Sequence, residues 1–264
     1  MAAIVAVLLA TASSAAAAPA WAPAGSATIH PGVQVFTDGA QCTANFVYFD
    51  ASNVYLGQAA HCSSTGGQTS TNGCDTQSLP LGTPVDVTGA SKPGTLVYNS
   101  WIAMQNAGET NADTCAYNDL ALIKIDPADV GKVNPSIPFW GGPTGLSGGT
   151  TAAGDKVLSY GNSELRGGIE QLSPKEGSSL GDAGNGWSHQ VETVTPGIPG
   201  DSGSAFLDGS GKALGILSTL EIAPTPTSNG VGDVGRELSY AAGHGASVTL
   251  ATGTEAFRGP LLPL

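Results

Sequence analysis

Short apolar runs separated by turn residues dominate the chain, and almost none carries a helical period. Residues 33–36 form the first run. Residues 43–49 and 54–56 flank Asp50-Ala51-Ser52-Asn53 and predict a hairpin. Residues 85–87, 95–98 and 120–125 continue the series. Residues 139–150 contain Gly141-Gly142-Pro143 and Gly148-Gly149, which predicts a crossover between two halves. Further strands are predicted at 156–160, 189–194, 204–207 and 213–218. Many short strands at this spacing predict an all-β sandwich or barrels. The one helical period lies at 231–242. There Val231, Val234, Leu238 and Ala241 or Ala242 share a face, and Gly243 is placed to cap it. Residues 248–250 return to strand, and residues 224–229 read as a loop. No segment repeats at a fixed period.

Composition agrees with strands and turns. Gly supplies 38 of 264 residues, about twice the usual share. Charged residues are only 11%, yet 41% hydrophobic residues suffice for one large domain or two small ones. Net charge is −12, and the nine Lys and Arg are scattered. No basic stripe can therefore follow a phosphate backbone, and nucleic acid is not an expected partner.

The first 20 residues read as an address. Residues 2–10 are apolar, and Ala18-Pro19-Ala20 has the small-x-small pattern of a cleavage site before Trp21. Residues 1–20 are thus a predicted signal peptide, and the mature chain is expected outside the cell. The customary Lys or Arg after Met1 is missing. The run is far shorter than the roughly 20 residues of a membrane span, so no membrane association is expected after cleavage.

Cys42, Cys62, Cys74 and Cys115 fit export, being even in number without a C-x-x-C pair. Of three possible pairings, Cys42–Cys62 with Cys74–Cys115 is favoured because each closes a local loop. Free thiols in a reducing compartment are the alternative.

Four histidines are candidates for proton transfer. His30, His189 and His244 have the surroundings of surface or hydrogen-bonded structural residues. His61 differs. It stands in Ala59-Ala60-His61-Cys62, directly after an apolar strand, where small neighbours leave room for the ring and Cys62 can pin the loop. Asp119 opens the apolar strand Leu120-Ala121-Leu122-Ile123, where a carboxylate needs a partner such as an imidazolium. Asp126 ends that strand as a solvated cap. Ser202 lies in Gly200-Asp201-Ser202-Gly203-Ser204. Flanking glycines permit a sharp turn that exposes the hydroxyl and aims the N–H groups of Gly200 and Ser202 at one point, an oxyanion hole. The order His, Asp, Ser argues against an α/β-hydrolase.

These segments, Ala-Ala-His-Cys at 59–62, Asp-Leu-Ala-Leu at 119–122 and Gly-Asp-Ser-Gly-Ser at 200–204, resemble the signatures of the chymotrypsin/trypsin-like serine peptidases, secreted bacterial type. Cys42 matches that family's partner for the cysteine after the histidine. The resemblance spans residues 28–264 and implies two six-stranded antiparallel β-barrels, at 28–145 and 146–264. His61 and Asp119 would come from the first and Ser202 from the second, with the site in the cleft between. It implies a monomeric endopeptidase acting on proteins or peptides through an acyl-enzyme, with no metal or organic cofactor. The alternatives are a catalytically silent binding module and an esterase of the same fold. If Cys74–Cys115 forms, Asp75, Asp113 and Glu109 are candidates to approach one another around Ca²⁺.

The chain also departs from the family. Pro196 stands six residues before Ser202, where trypsin-like members carry an acid, so cleavage after Lys or Arg is not expected. Ser218-Thr219-Leu220 replaces the usual Ser-Trp-Gly wall. Ser218 and Thr219 remain available to pair with substrate backbone, and Leu220 narrows the pocket toward small or medium apolar side chains. No Arg-Ile-Val-Gly-Gly start precedes Cys42. Asp201 therefore needs a partner other than a freed N-terminus, and Arg166 or Arg236 is expected.

Overall fold

The computed structural model describes residues 17–66, 71–220 and 228–261. The signal-peptide reading for residues 1–16, Glu221 and most of the 224–229 loop lie outside them.

The chain is mostly β and forms two antiparallel sheets. The first contains β1 (Gln34–Thr37), β2 (Ala40–Thr43), β3 (Val47–Phe49), β4 (Val54–Ala59), β5 (Pro84–Val87), β6 (Gly94–Asn99) and β7 (Leu120–Lys124). The second contains β8 (Lys156–Tyr160), β9 (Pro174–Ala183), β10 (Ser188–Thr193), β11 (Ala205–Asp208), β12 (Ala213–Leu220) and β13 (Asn229–Asp233). It closes into a six-stranded barrel in the order β10-β13-β12-β11-β8-β9. A last strand, β14 (Thr249–Leu250), returns to the first half and pairs with β3, so that sheet has eight strands.

Local chemistry explains several elements. The predicted hairpin forms as β3–β4. Asp50 Oδ1 accepts the N–H groups of Ser52 and Asn53, which tightens the turn. The run at 43–49 is not continuous. Asn45 interrupts it, its side chain accepting the N–H of Phe46 at 2.8 Å, and the chain divides into β2 and β3. Two helices escaped the periodicity reading: α1 (Ser100–Ala107) and α2 (Ala112–Tyr117). Each is started by an asparagine, Asn99 and Asn111, whose side chain accepts two N–H groups of the first turn. Strand β9 was also missed. Its sequence, Pro-Lys-Glu-Gly-Ser-Ser-Leu-Gly-Asp-Ala, lacks apolar alternation and becomes a strand by pairing with β8 and β10.

The C-terminal helix is α3 (Val234–Gly243), three residues later than the predicted start. Asp233 fixes that start, because its Oδ1 accepts the N–H of Arg236 at 2.7 Å. Val231 belongs to β13, Gly243 is the last helical residue, and His244 occupies the cap. The buried face is Val234, Glu237 and Ala241, with Leu238 only partly buried.

Three apolar clusters organise the molecule. Val35, Leu56, Leu96 and Ile123 fill the first half with Trp101 and Met104 of α1. Val157, Val191, Phe206 and Val231 fill the barrel. A third cluster joins the halves, with Phe46, Tyr48, Leu120 and Leu122 packed with Trp140, Leu158, Leu207 and Ile216. This shared core holds the seam between the halves at a fixed geometry.

Disulfides Cys42–Cys62 and Cys74–Cys115 are present, as favoured from the loop lengths. The second spans 41 positions. Replacing both Cys74 and Cys115 by Ser is expected to cost about 3–4 kcal/mol by loop entropy. The measurement is the urea midpoint, and an unchanged midpoint would contradict it.

Candidate active site

Strands β4 and β7 are neighbours, with Ala59 opposite Leu120. That register sets the residue just beyond β4 beside the residue just before β7. His61 lies in a 3₁₀ turn (Ala60–Ser63), and Cys62 ties the turn to β2. Main chain then locks the two segments: Ala60 N–H donates to the Asp119 carbonyl at 2.6 Å, and His61 N–H to Asp119 Oδ1 at 2.9 Å.

The side chains meet as well. His61 Nδ1 lies 2.7 Å from Asp119 Oδ2. Ser218 Oγ donates to the same oxygen at 2.5 Å. Asp119 is 2% exposed, so its charge is offset by these donors. With Nδ1–H committed to Asp119, the His61 lone pair belongs to Nε2. Burial pulls the imidazole down, but the Asp119 charge and hydrogen bond outweigh it, and the His61 pKa stands above its ordinary value.

Ser202 comes from the turn before β11. Gly200 and Gly203 hold φ of +93° and +87° there. A Cβ on Gly203 would lie 2.7 Å from the Thr43 carbonyl oxygen, so this position requires glycine. The turn is stitched to β2 across the seam. Thr43 N–H donates to the Ser202 carbonyl at 2.9 Å, and Gln41 Nε2 and Thr43 Oγ1 donate to that of Gly200. The N–H groups of Asp201 and Ser204 are used within the turn, on the carbonyls of Ile198 and Asp201, and that of Gly203 donates to Leu217 on β12. Those of Gly200 and Ser202 have no acceptor among the described residues. His61, Asp119 and Ser202 line one cavity of about 520 Å³.

Neither a family model nor a curated protein matches the sequence. Solved structures do match. Thermobifida fusca protease A is 17% identical, with 85% of this chain and 99% of that one covered at a TM-score of 0.55. Nocardiopsis protease is 16% identical, covering 84% and 98%, at 0.52. A glutamic acid-specific serine protease is 19% identical, covering 84% and 100%, at 0.53. This chain has the chymotrypsin-like fold. At such identities the likeness concerns architecture, and the chemistry rests on the site itself.

In this chymotrypsin-like chain, Asp201 is fully buried and anchors the serine turn. Of the two arginines expected as its partner, Arg166 is the one, with Nη2 at 2.6 Å from Oδ2. Arg236 is elsewhere, over the Trp187 ring. Sequence reasoning missed a second cation: Lys175 Nζ lies 3.0 Å from the same oxygen, with its side chain 0% exposed. Burial pulls the ammonium below its ordinary pKa, Asp201 opposes this, and Arg166 adds to it. The N–H groups of Ser163 and Ile198 complete the shell of Asp201. No signal in β9 singled out Lys175.

Among the candidate substrate-binding residues, Ser218, Thr219 and Leu220 line the cavity. Ser218 spends its hydroxyl on Asp119, a role the sequence did not suggest. Pro196 is not among the described lining residues; its carbonyl accepts from Arg166 Nη2 at 3.0 Å. Asn229, unforeseen, closes the recess. Its amide bridges Gly197 and Thr219, with Gly197 N–H donating to Oδ1 at 2.8 Å.

The other ionisable candidates have structural places. His189 is buried between Asp182 (2.7 Å) and Asp233 (3.2 Å). Asp113 accepts from Asn185, and Glu109 from the N–H groups of Thr110 and Asn111. These acids and Asp75 form no metal-holding group among the described residues. The group of suitable side chains found there is Cys42, His61 and Cys62, and its sulfurs are spent in the disulfide.

Proposed function

We propose that this chain is a secreted serine endopeptidase that hydrolyses peptide bonds through an acyl-enzyme. The observation that carries the reading is the convergence of His61, Asp119 and Ser202 on one cavity, with His61 Nδ1 held by Asp119. Ser202 Oγ attacks the carbonyl carbon. His61 Nε2 takes the hydroxyl proton and returns it to the leaving amine. Asp119 fixes the tautomer and stabilises the imidazolium. The N–H groups of Gly200 and Ser202 receive the developing oxyanion. A water then repeats the sequence on the acyl-enzyme. No step calls for a metal or an organic cofactor.

In this reading residues 28–145 and 146–264 are the two domains, and the site occupies their seam. The second holds the closed six-stranded barrel, and the first an eight-stranded sheet completed by β14 rather than a six-stranded barrel. Residues 1–20 are the leader. Two disulfides and the apolar N-terminal run support export. The mature protein is read as an extracellular monomer whose partner is a protein or peptide. Ile198, Leu217 and Leu220 line the recess beside Asn229, which favours a small or medium apolar side chain. The glutamic acid-specific neighbour uses a histidine triad in substrate binding. Here the described lining residues include His61 and no other histidine, so an acidic preference is not supported.

Labelling with a fluorophosphonate, followed by peptide mapping, tests the reading. The adduct is expected on Ser202, and an unlabelled chain would overturn the reading in favour of a silent binding module. A mixed peptide library then reads the side-chain preference. Activity also carries a pH signature. The base works only as neutral imidazole, and Asp119 raises its pKa. The acid limb of kcat/KM is therefore expected above the ordinary histidine value of 6.5. A limb at or below that value would contradict the pairing.

A further inference from the structure

Behind the His61–Asp119 pair lies a carboxyl group that the proposed reaction does not use. Glu237, in the first turn of α3, is 0% exposed. Its Oε1 accepts the main-chain N–H of Asp119 at 2.9 Å. Its Oε2 is buried and has no partner among the described residues. Facing it are Asp119 before β7, Asp233 at the end of β13, and the hydroxyls of Tyr48 on β3 and Tyr98 on β6. Gly232 approaches closely, since a Cβ there would lie 2.7 Å from Oε1.

We propose that Glu237 is a positioning residue, an inference that rests on the triad reading: its Oε1 fixes the Asp119 main chain and so sets where the Asp119 carboxylate meets His61. Asp119 sits in the short link between α2 and β7, where a one-residue change of path would turn its side chain away from the imidazole. Its carbonyl is held by Ala60 and its carboxylate by His61 and Ser218. Its N–H is held by Glu237 alone among the described residues. Without that acceptor a buried donor is orphaned and the link is free to shift.

The same surroundings favour the uncharged form. Among the described residues a carboxylate here would have one donor, two acidic neighbours and no cation facing it. Burial therefore pushes the Glu237 pKa well up; the Asp119 N–H opposes it, and the charges of Asp119 and Asp233 add to it. Burial and the two acidic neighbours thus favour the uncharged form, in which Glu237 holds the Asp119 backbone without placing a second negative charge behind His61.

The test compares the full wild-type chain with Glu237→Gln and Glu237→Leu. NMR follows the His61 ring titration and its Nδ1–H resonance, and kinetics use a peptide taken from the library. Gln keeps the acceptor oxygen and the neutral charge, so kcat and KM should stay within about twofold and the His61 titration should not move. Leu removes the acceptor, so kcat should fall about 10–100-fold with KM nearly constant, and the Nδ1–H resonance should shift. A downward shift of the His61 titration in Glu237→Gln would show an ionised group in the wild type and overturn the proposal. So would wild-type kcat and resonance in Glu237→Leu, or equal damage in both variants. If Glu237→Leu fails to fold, the Glu237→Gln titration decides. A wild-type chain with a paired His61 resonance that takes no fluorophosphonate overturns the peptidase reading instead, and the NMR arm still reads the Glu237 contact.

Discussion

Ser202→Ala is expected to lower kcat by about 10⁴–10⁶ while leaving the fold intact. The hydroxyl is the only group lost. The turn keeps the contacts that hold it, because they use main chain: the Ser202 carbonyl on Thr43, the Gly203 N–H on Leu217 and the Ser204 N–H on Asp201. Neither the φ values at Gly200 and Gly203 nor the buried Asp201 depends on the side chain at position 202. The melting temperature should therefore remain that of the wild type as turnover disappears. Peptide hydrolysis by the purified variant, with its melting curve, measures both. Full turnover would remove Ser202 from the nucleophile role.

Asp201→Ala should act on stability and on turnover together. The lost carboxylate leaves Lys175, 0% exposed, and Arg166, 9% exposed, facing each other with no anion between them. Removing one partner of a buried ion cluster costs about 3–5 kcal/mol, because the remaining charge keeps its desolvation penalty. The N–H groups of Ser163 and Ile198 lose their acceptor at the same time. The serine turn then loses its anchor, and the folded fraction should work about 10²-fold more slowly. Urea unfolding gives the first quantity, and active-site titration per folded molecule gives the second. Asp201→Asn should be nearly as damaging, since it preserves volume but not charge. Wild-type stability in both variants would show that the cluster is not what holds the turn.

Legibility along the chain followed the range of the interactions concerned. The hairpin at Asp50 was readable because its turn is made by that residue's own side chain. Candidate residues His61, Asp119 and Ser202 stood out because each has a local backbone requirement written beside it: small residues before the histidine, an apolar strand after the aspartate, glycines around the serine. Asparagine caps at 99 and 111 are equally local, yet helices α1 and α2 carry no apolar period to mark them as helices in the sequence. The C-terminal helix starts three residues after its apolar period does, because a valine at 231 fits a helical face as well as a strand until Asp233 settles the boundary.

The partners were of another kind. Lys175, Asn229 and Glu237 carry no local mark, and Glu237 occupies a buried position where its charge would argue for solvent. Each is placed by contacts between segments distant in sequence: Lys175 on Asp201, Asn229 on Gly197 and Thr219, Glu237 on the N–H of Asp119.

By itself, then, the sequence determined the β-rich class, favoured one of three cysteine pairings and marked His61, Asp119 and Ser202 as candidates, since the strand pattern and the candidate motifs follow from short-range steric and hydrogen-bonding rules. Tertiary structure alone decided which cation meets Asp201, which oxygen steadies Asp119 and which amide closes the recess. A buried polar group must find its complement wherever the packed chain brings one, and no local pattern records that position.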